Sequence, residues 1–169
     1  MKRKSDYAII VSCNPGYGFG LMATMNAQNY FGTDADFEIA YDGYTEEERN
    51  AISNAFRFNV NWTPVNELMQ VVVDKRTDKR APLERFWLAY WLLAYKLLKE
   101  KKYKAVCVTQ GDQFTFVNLD EYFKKAEEGY IISSHFNFSH ISAENAPYGD
   151  DKAIWDRCMC PFFDSVNFI

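Results

Sequence analysis

No stretch of this sequence is apolar for long enough to span a bilayer, and the run after its basic start, Ala8 to Val11, is too short for the core of a secretory signal peptide. The expectation is a cytoplasmic protein. Blocks of positive charge are missing as well: Lys2-Arg3-Lys4 and the Lys99 to Lys102 stretch are the longest, and the formal net charge is -4. Nucleic acid is therefore not an expected partner, because neutralising phosphates needs a concentrated basic surface. Histidine is scarce, with two in the chain, and cysteine little commoner, with four. Cys158 and Cys160 lack the Cys-x-x-Cys spacing of a zinc knuckle, so a thiolate metal site completed by His135 and His140 is not expected. Cys13 and Cys107 lie in apolar runs, where a thiol behaves as a small hydrophobe. Internal repeats, low-complexity tracts and linkers are all lacking.

What is present describes one globular domain of 169 residues, 48% apolar and 25% charged, long enough for a substantial core. Eleven Tyr and fourteen Phe make that core bulky and offer stacking platforms for a sugar or a base. Tyr7 to Cys13 is a short apolar run ending at Asn14-Pro15-Gly16, as a buried parallel strand running into a turn does. A glycine-loosened helix follows over Pro15 to Tyr30, then a strand over Phe37 to Tyr41. After Asp42-Gly43, the Thr45 to Glu48 spacing is that of a capping box opening another helix. Phe56 to Val60 and Met69 to Val73 are further strand candidates around a Pro64 turn. Pro82 to Leu98 is the strongest helix pattern, apolar nearly all round and so expected to be buried. Lys104 to Thr109 reads as a buried strand and Phe114 to Val117 as a short one. Asn118 and Glu121 repeat the capping-box spacing before a helix over Leu119 to Glu128, and Tyr130 to Ser133 reads as a closing strand. Alternating strands and helices predict an α/β domain with a mainly parallel sheet covered on both faces, its ligand crevice outside the carboxyl ends of the strands. Residues 135–161 are irregular and long enough for a functional loop.

Polar turns at strand ends are where chemistry is to be sought, and four stand out. Ser12-Cys13-Asn14-Pro15-Gly16-Tyr17-Gly18-Phe19-Gly20 leads a strand into a Gly-rich helix entry, where backbone N–H groups can face a phosphate or sugar, or the glycines can serve turn geometry alone. It is neither G-x-G-x-x-G nor a P-loop, which removes support for dinucleotide binding and ATP hydrolysis. Asp42 can accept from a base N–H or a ribose hydroxyl, or simply form an Asp-Gly turn. Gln110-Gly111-Asp112 follows a core strand, where Asp112 can hold Mg²⁺ or Mn²⁺ against a diphosphate, or the four residues through Gln113 can form a plain β-turn. Lys75, Arg76, Lys79, Arg80 and Arg85 form a cationic set suited to phosphate; Arg85 stands beside Phe86 and Trp87 in an apolar helix, where a charge needs a partner.

The stretch RFWLAYWLLAYKLLKEKKYKAVCVTQGDQFTFVNLDEYFKKAEEGYII, Arg85 to Ile132, resembles the GT-A fold glycosyltransferases, the glycogenin-like and related nucleotide-diphospho-sugar transferase group. Its likeness is to that family's aromatic helix with an Arg, core strand, D-x-D motif, short strand and Leu-Asp-Glu-hydrophobic helix. The order of elements over residues 7–134 is similar too. The resemblance implies a single Rossmann-like GT-A domain over residues 1–169, with a nucleotide-binding core at 1–134 and a loop and the start of the acceptor side at 135–169. It implies Mn²⁺ or Mg²⁺ at Asp112, and donor contacts from Ser12, Asn14, Gly16, Tyr17, Asp42, Arg80, Arg85, Gln110, Gly111 and Asp112. Gln110 stands where the first acid of the motif belongs, so the motif is degenerate. Pro161 to Ile169 looks like the acceptor-side strand, beyond which the family's polypeptide continues, which implies a missing C-terminal segment or a second chain.

The leading functional expectation is sugar transfer, of the hexosyl-transferring kind, from a nucleotide-diphosphate donor to an unidentified acceptor. The alternative is a non-catalytic relative that binds a nucleotide or serves as a structural or interaction protein, favoured by Gln110. A nucleotidyltransferase is a weaker third, since no Gly-rich first loop with basic residues follows the first strand.

Overall fold

The computed structural model describes residues 2, 4–69, 82–110, 117–129, 132–133 and 167–168. Tyr7–Cys13 forms β1, with Ala8 to Val11 essentially inaccessible, as expected of a strand whose apolar run is covered on both faces. A 3₁₀ turn, Pro15–Tyr17, leads into α1, Gly18–Phe31; β2 is Asp36–Tyr41 and α2 is Glu46–Ala55. The helix α1 stops at Gly32, whose φ of 77° places it in the left-handed region with its N–H on the Gln28 carbonyl. The capping box of α2 forms as the spacing predicts: Thr45 Oγ1 accepts from Glu48 N at 3.2 Å, and Glu48 Oε2 accepts from Thr45 N at 2.8 Å. Then come β3, Val60–Pro64; α3, Val65–Met69; α4, Pro82–Lys99; β4, Ala105–Gln110; α5, Asp120–Glu127; β5, Ile132–Ser133; and β6, Asn167–Phe168.

The sheet runs β3-β2-β1-β4-β6-β5, with β3, β2, β1 and β4 mutually parallel and β6 antiparallel to both neighbours. It is the mainly parallel α/β, Rossmann-like architecture expected from the sequence. Side chains alternate across it. Ile9, Val11 and Cys13 point to the face covered by Leu21 and Met25 of α1 and Phe123 of α5, whereas Ala8 and Ile10 meet Val65 and Leu68 of α3 and Leu93 and Leu97 of α4. Each fully buried Leu, Ile or Phe contributes about 1.5–3 kcal/mol relative to exposure, so the two layers hold the central strands from both sides.

Several expectations need correction. The strand placed over Phe56 to Val60 begins only at Val60: Phe56 and Phe58 are buried, but they pack under the sheet's edge from the connection after α2. Pro64 ends that strand rather than a turn, which an edge position tolerates. Met69, expected to open a strand, closes the short helix α3, and residues 70–73 lie outside the described residues. The helix α4 is not buried all round, because Trp91 and Tyr95 face outward, Tyr95 being 63% exposed beneath the Lys99 ammonium. Asn118 and Glu121 form no reciprocal box. Asn118 Oδ1 takes Asp120 N at 2.8 Å, and its amide donates to the Phe31 carbonyl, tying the start of α5 to the end of α1. Of the Phe114 to Val117 strand, only Val117 is described, as an exposed bend. Among the described residues, no helix is long and apolar enough to cross a membrane.

Candidate functional site

The strand order reverses at β1: β2 and β3 lie to one side of it and β4 to the other. In a parallel α/β sheet, such a reversal separates the turns leaving neighbouring strands and opens a crevice at their carboxyl ends. Here β1 delivers Ser12 and Asn14 to that edge, β2 delivers Asp42, and β4 ends on Gln110, in register beside Ser12.

The first turn is built by Asn14. Its side-chain oxygen accepts from Tyr17 N at 3.3 Å while its backbone carbonyl accepts from the same N–H at 3.0 Å, which closes the 3₁₀ turn. A Cβ on Gly16 would sit 3.1 Å from that side-chain oxygen, so glycine lets the turn fold over it. The Tyr44 hydroxyl, buried in the β2–α2 connection, donates to the Asn14 carbonyl at 3.2 Å and lies 3.4 Å from the Cys13 thiol. A Cβ on Gly18 would come within 3.0 Å of that hydroxyl. Asp42 N donates to the Cys13 carbonyl at 3.2 Å, and Gly43, at a φ of 79°, turns the chain close to the Pro15 ring. The two turns flanking β1 and β2 are therefore fixed to each other. Burial pushes the Cys13 thiol pKa up, the Tyr44 hydroxyl pulling the other way, and burial with the Cys13 contact raises Tyr44 far above the usual phenol range. Both stay neutral at physiological pH.

Immediately beyond the turn, α1 begins. Its N-cap, Tyr17, makes no side-chain capping bond; the Gly18 N–H already donates to the Pro15 carbonyl, so what the helix start offers an anion is chiefly the positive end of its dipole. Tyr17 itself is 51% exposed, Asp42 and Gly16 are exposed, and Ser12 and Asn14 are half-buried. Of the ten residues named for the donor, Ser12, Asn14, Gly16, Tyr17, Asp42 and the backbone of Gln110 share this edge. Arg85 falls in the first turn of α4, its side chain outside the described ones, and Arg80, Gly111 and Asp112 lie outside the described residues. So do Lys75, Arg76, Lys79, His135, His140, Cys158 and Cys160. Among the described residues, no three His, Cys, Asp or Glu side chains come together as a metal site.

Sequence reasoning missed Tyr44. Its signal was its place just before the Thr45 cap, where an apolar residue commonly turns inward to fix the entry of the chain. It also missed a polar cluster at the other end of β2. Asp36 and Glu38 are 2% and 1% exposed, and Tyr103 Oη donates to Glu38 Oε1 at 2.6 Å and reaches Asp36 Oδ2 at 3.2 Å. Lys102 Nζ and Asn61 Nδ2 also meet Glu38 Oε1, at 2.7 and 2.9 Å, while Asn59 Nδ2 meets Asp36 Oδ1 at 2.9 Å. No buried side-chain nitrogen or oxygen among the described residues lacks a partner.

No protein-family model matches this sequence, and no characterised protein matches it. The chain is thus assigned to a class by its architecture, a Rossmann-like α/β domain with its candidate crevice at the β1/β4 reversal.

Proposed function

We propose that this chain binds a nucleoside-diphosphate sugar across the carboxyl ends of β1, β2 and β4, and that it transfers the sugar to an acceptor. The supporting observation is the convergence at the strand-order reversal: Asn14, Asp42 and Gln110 stand at the ends of adjacent strands beside a helix end with no side-chain cap. In this reading Asp42 accepts from the base or ribose, and the Asn14 to Gly18 turn and the start of α1 face the diphosphate. Arg80 and Arg85 neutralise the departing diphosphate, an electrostatic role that lowers the barrier to glycosyl departure. Mn²⁺ or Mg²⁺, when bound, supplies Lewis-acid stabilisation of the same charge, with Asp112 as its ligand. Gln110 brings no negative charge, so cation affinity depends on the oxygens the diphosphate contributes. A cytoplasmic setting goes with this reading and suits the free thiols of Cys13 and Cys107.

Calorimetry with UDP, GDP, CDP and their sugar esters, with and without Mn²⁺, tests the proposal. Binding of one nucleotide, tightened by Mn²⁺, is the expected result. Gln110→Asp should tighten Mn²⁺ further in the presence of nucleoside diphosphate, read by paramagnetic titration. Silence across the panel transfers support to the second reading, a non-catalytic structural or interaction protein. That reading is favoured by the amide at Gln110 and by the engagement of Asn14 within the fold, its side chain by Tyr17 N and its carbonyl by the Tyr44 hydroxyl.

A further inference from the structure

From Tyr7 to Thr33 the chain contains no Asp, Glu, Lys, Arg or His, although a quarter of its residues are charged. For β1 that is the consequence of burial on both faces. For α1 it is not, because α1 lies on the surface: Phe19 is 85% exposed, Tyr30 is 84% exposed, and Asn26 between them is exposed. The two other helices on this face of the sheet follow the usual rule. α2 exposes Glu46 and Glu47, and α5 exposes Lys124 and Lys125. Among the described helices, only α1 turns an uncharged, aromatic side to water.

The exposed side has an internal order. Leu21, Thr24, Met25 and Gln28 face the sheet with Met22 packed half-buried beside them, and exposed Phe19, Asn26 and Tyr30 with half-buried Ala23 and Ala27 form the opposite stripe. At about 100° per residue, Phe19 and Tyr30 are three turns apart on one line. The stripe reads nearly the same from either end. A two-fold axis through its middle sets Phe19 of one copy against Tyr30 of the other and Ala23 against Asn26. Small residues at the centre permit close approach of two helices, and the aromatic pairs close the ends.

We propose that α1 is the contact between two copies of this chain, packed antiparallel about a two-fold axis. Self-complementarity is what an isologous interface requires. Charge argues the same way, since each copy carries a formal -4 and α1 is a surface on which two copies meet without opposing like charges. A membrane surface is a poorer occupant, because an interfacial helix ordinarily carries Lys or Arg on its polar side, and α1 has neither. One helix pair buries less than the roughly 1,600 Å² of a standard interface, so the dimer should be weak, with a dissociation constant in the range of about 1–100 µM.

Sedimentation velocity on the full chain from about 5 to 500 µM tests this, bracketing the affinity expected of an interface this small. The wild type should pass from monomer to dimer across the series. Tyr30→Glu, at the end of α1 away from the candidate crevice, and Phe19→Glu should each weaken association at least tenfold, with thermal midpoints unchanged when measured on dilute, monomeric protein. The milder Tyr30→Ser should act in the same direction. A wild type that stays monomeric throughout overturns the proposal, as does a dimer indifferent to all three substitutions. A lowered midpoint in monomeric Tyr30→Glu and Tyr30→Ser also overturns it, since the stripe would then be covered within the monomer. Binding to anionic vesicles by a wild type that does not self-associate transfers the surface to a lipid partner.

Discussion

The two ends of β2 use the same kind of residue in opposite ways. At its amino end Asp36 and Glu38 are buried, and every donor around them is engaged; at its carboxyl end Asp42 is exposed, its side chain left to solvent. A carboxylate that has been desolvated and fully hydrogen-bonded is committed to the fold, because any partner lost leaves a buried group unsatisfied. A carboxylate at an exposed turn contributes little to stability and remains open to a ligand. The acid nearest a candidate crevice is thus the one the fold can most easily do without.

That contrast sets the order of expected effects. Glu38→Ala should be the most damaging, leaving Tyr103, Lys102 and Asn61 without their common acceptor, and should cost about 3–5 kcal/mol in urea unfolding. A loss below about 1 kcal/mol would mean that the cluster is solvated and the contrast fails. Tyr103→Phe should cost about 1–3 kcal/mol by the same measurement at pH 7.

The same phenol sharpens the comparison through pH. Burial, then the Glu38 hydrogen bond, raise its pKa far above the ordinary value of 10.0, so the unfolded chain loses this proton first as pH rises. Its contribution is complete below about pH 10 and declines above it. Tyr103→Phe should flatten the alkaline limb of the stability profile, while the acid limb stays as it is.

At the other end, Asp42→Asn should leave the unfolding midpoint within about 0.5 kcal/mol of wild type, as exposed substitutions do. It should weaken nucleotide binding about tenfold, the value of one charged hydrogen bond. The smallest effect is reserved for Glu48, whose pKa is lowered by the backbone N–H and hydroxyl of Thr45. A lowered pKa stabilises above the unfolded value and is lost as pH falls through the folded one. Glu48→Gln should therefore depress the melting midpoint slightly at pH 7, and the difference should shrink as pH falls below the ordinary carboxyl value of 4.5.

The central strands were legible because burial on both faces writes itself as an unbroken apolar run, as in Tyr7 to Cys13 and Ala105 to Thr109. The edge strand was not. Val60–Pro64 is half-buried along its length and carries Asn61 and Pro64, while the more apolar Phe56 and Phe58 beside it pack from a connection, so hydrophobicity set the strand four residues too early. In the candidate site, the positions of Asn14, Asp42 and Gln110 at strand ends followed from the alternation of elements. The Tyr44 contact did not, because it joins two turns distant in sequence through one hydroxyl. The Asp36 and Glu38 cluster left a readable trace: acids two apart in a strand otherwise apolar mark one face on which polar groups must find one another.

The placement of β6 bears on how the molecule is made. Asn167–Phe168 lies between β4 and β5, pairing with Cys107 and Val108 on one side and Ile132 and Ser133 on the other. A chain emerging from the ribosome can pair β1 with β2 and β4 early, yet among the described strands the outer rim of β4 gains its neighbour only once residue 168 has appeared. Throughout that interval an apolar strand presents bare N–H and C=O groups to any other nascent chain, the condition under which edge-to-edge association competes with folding.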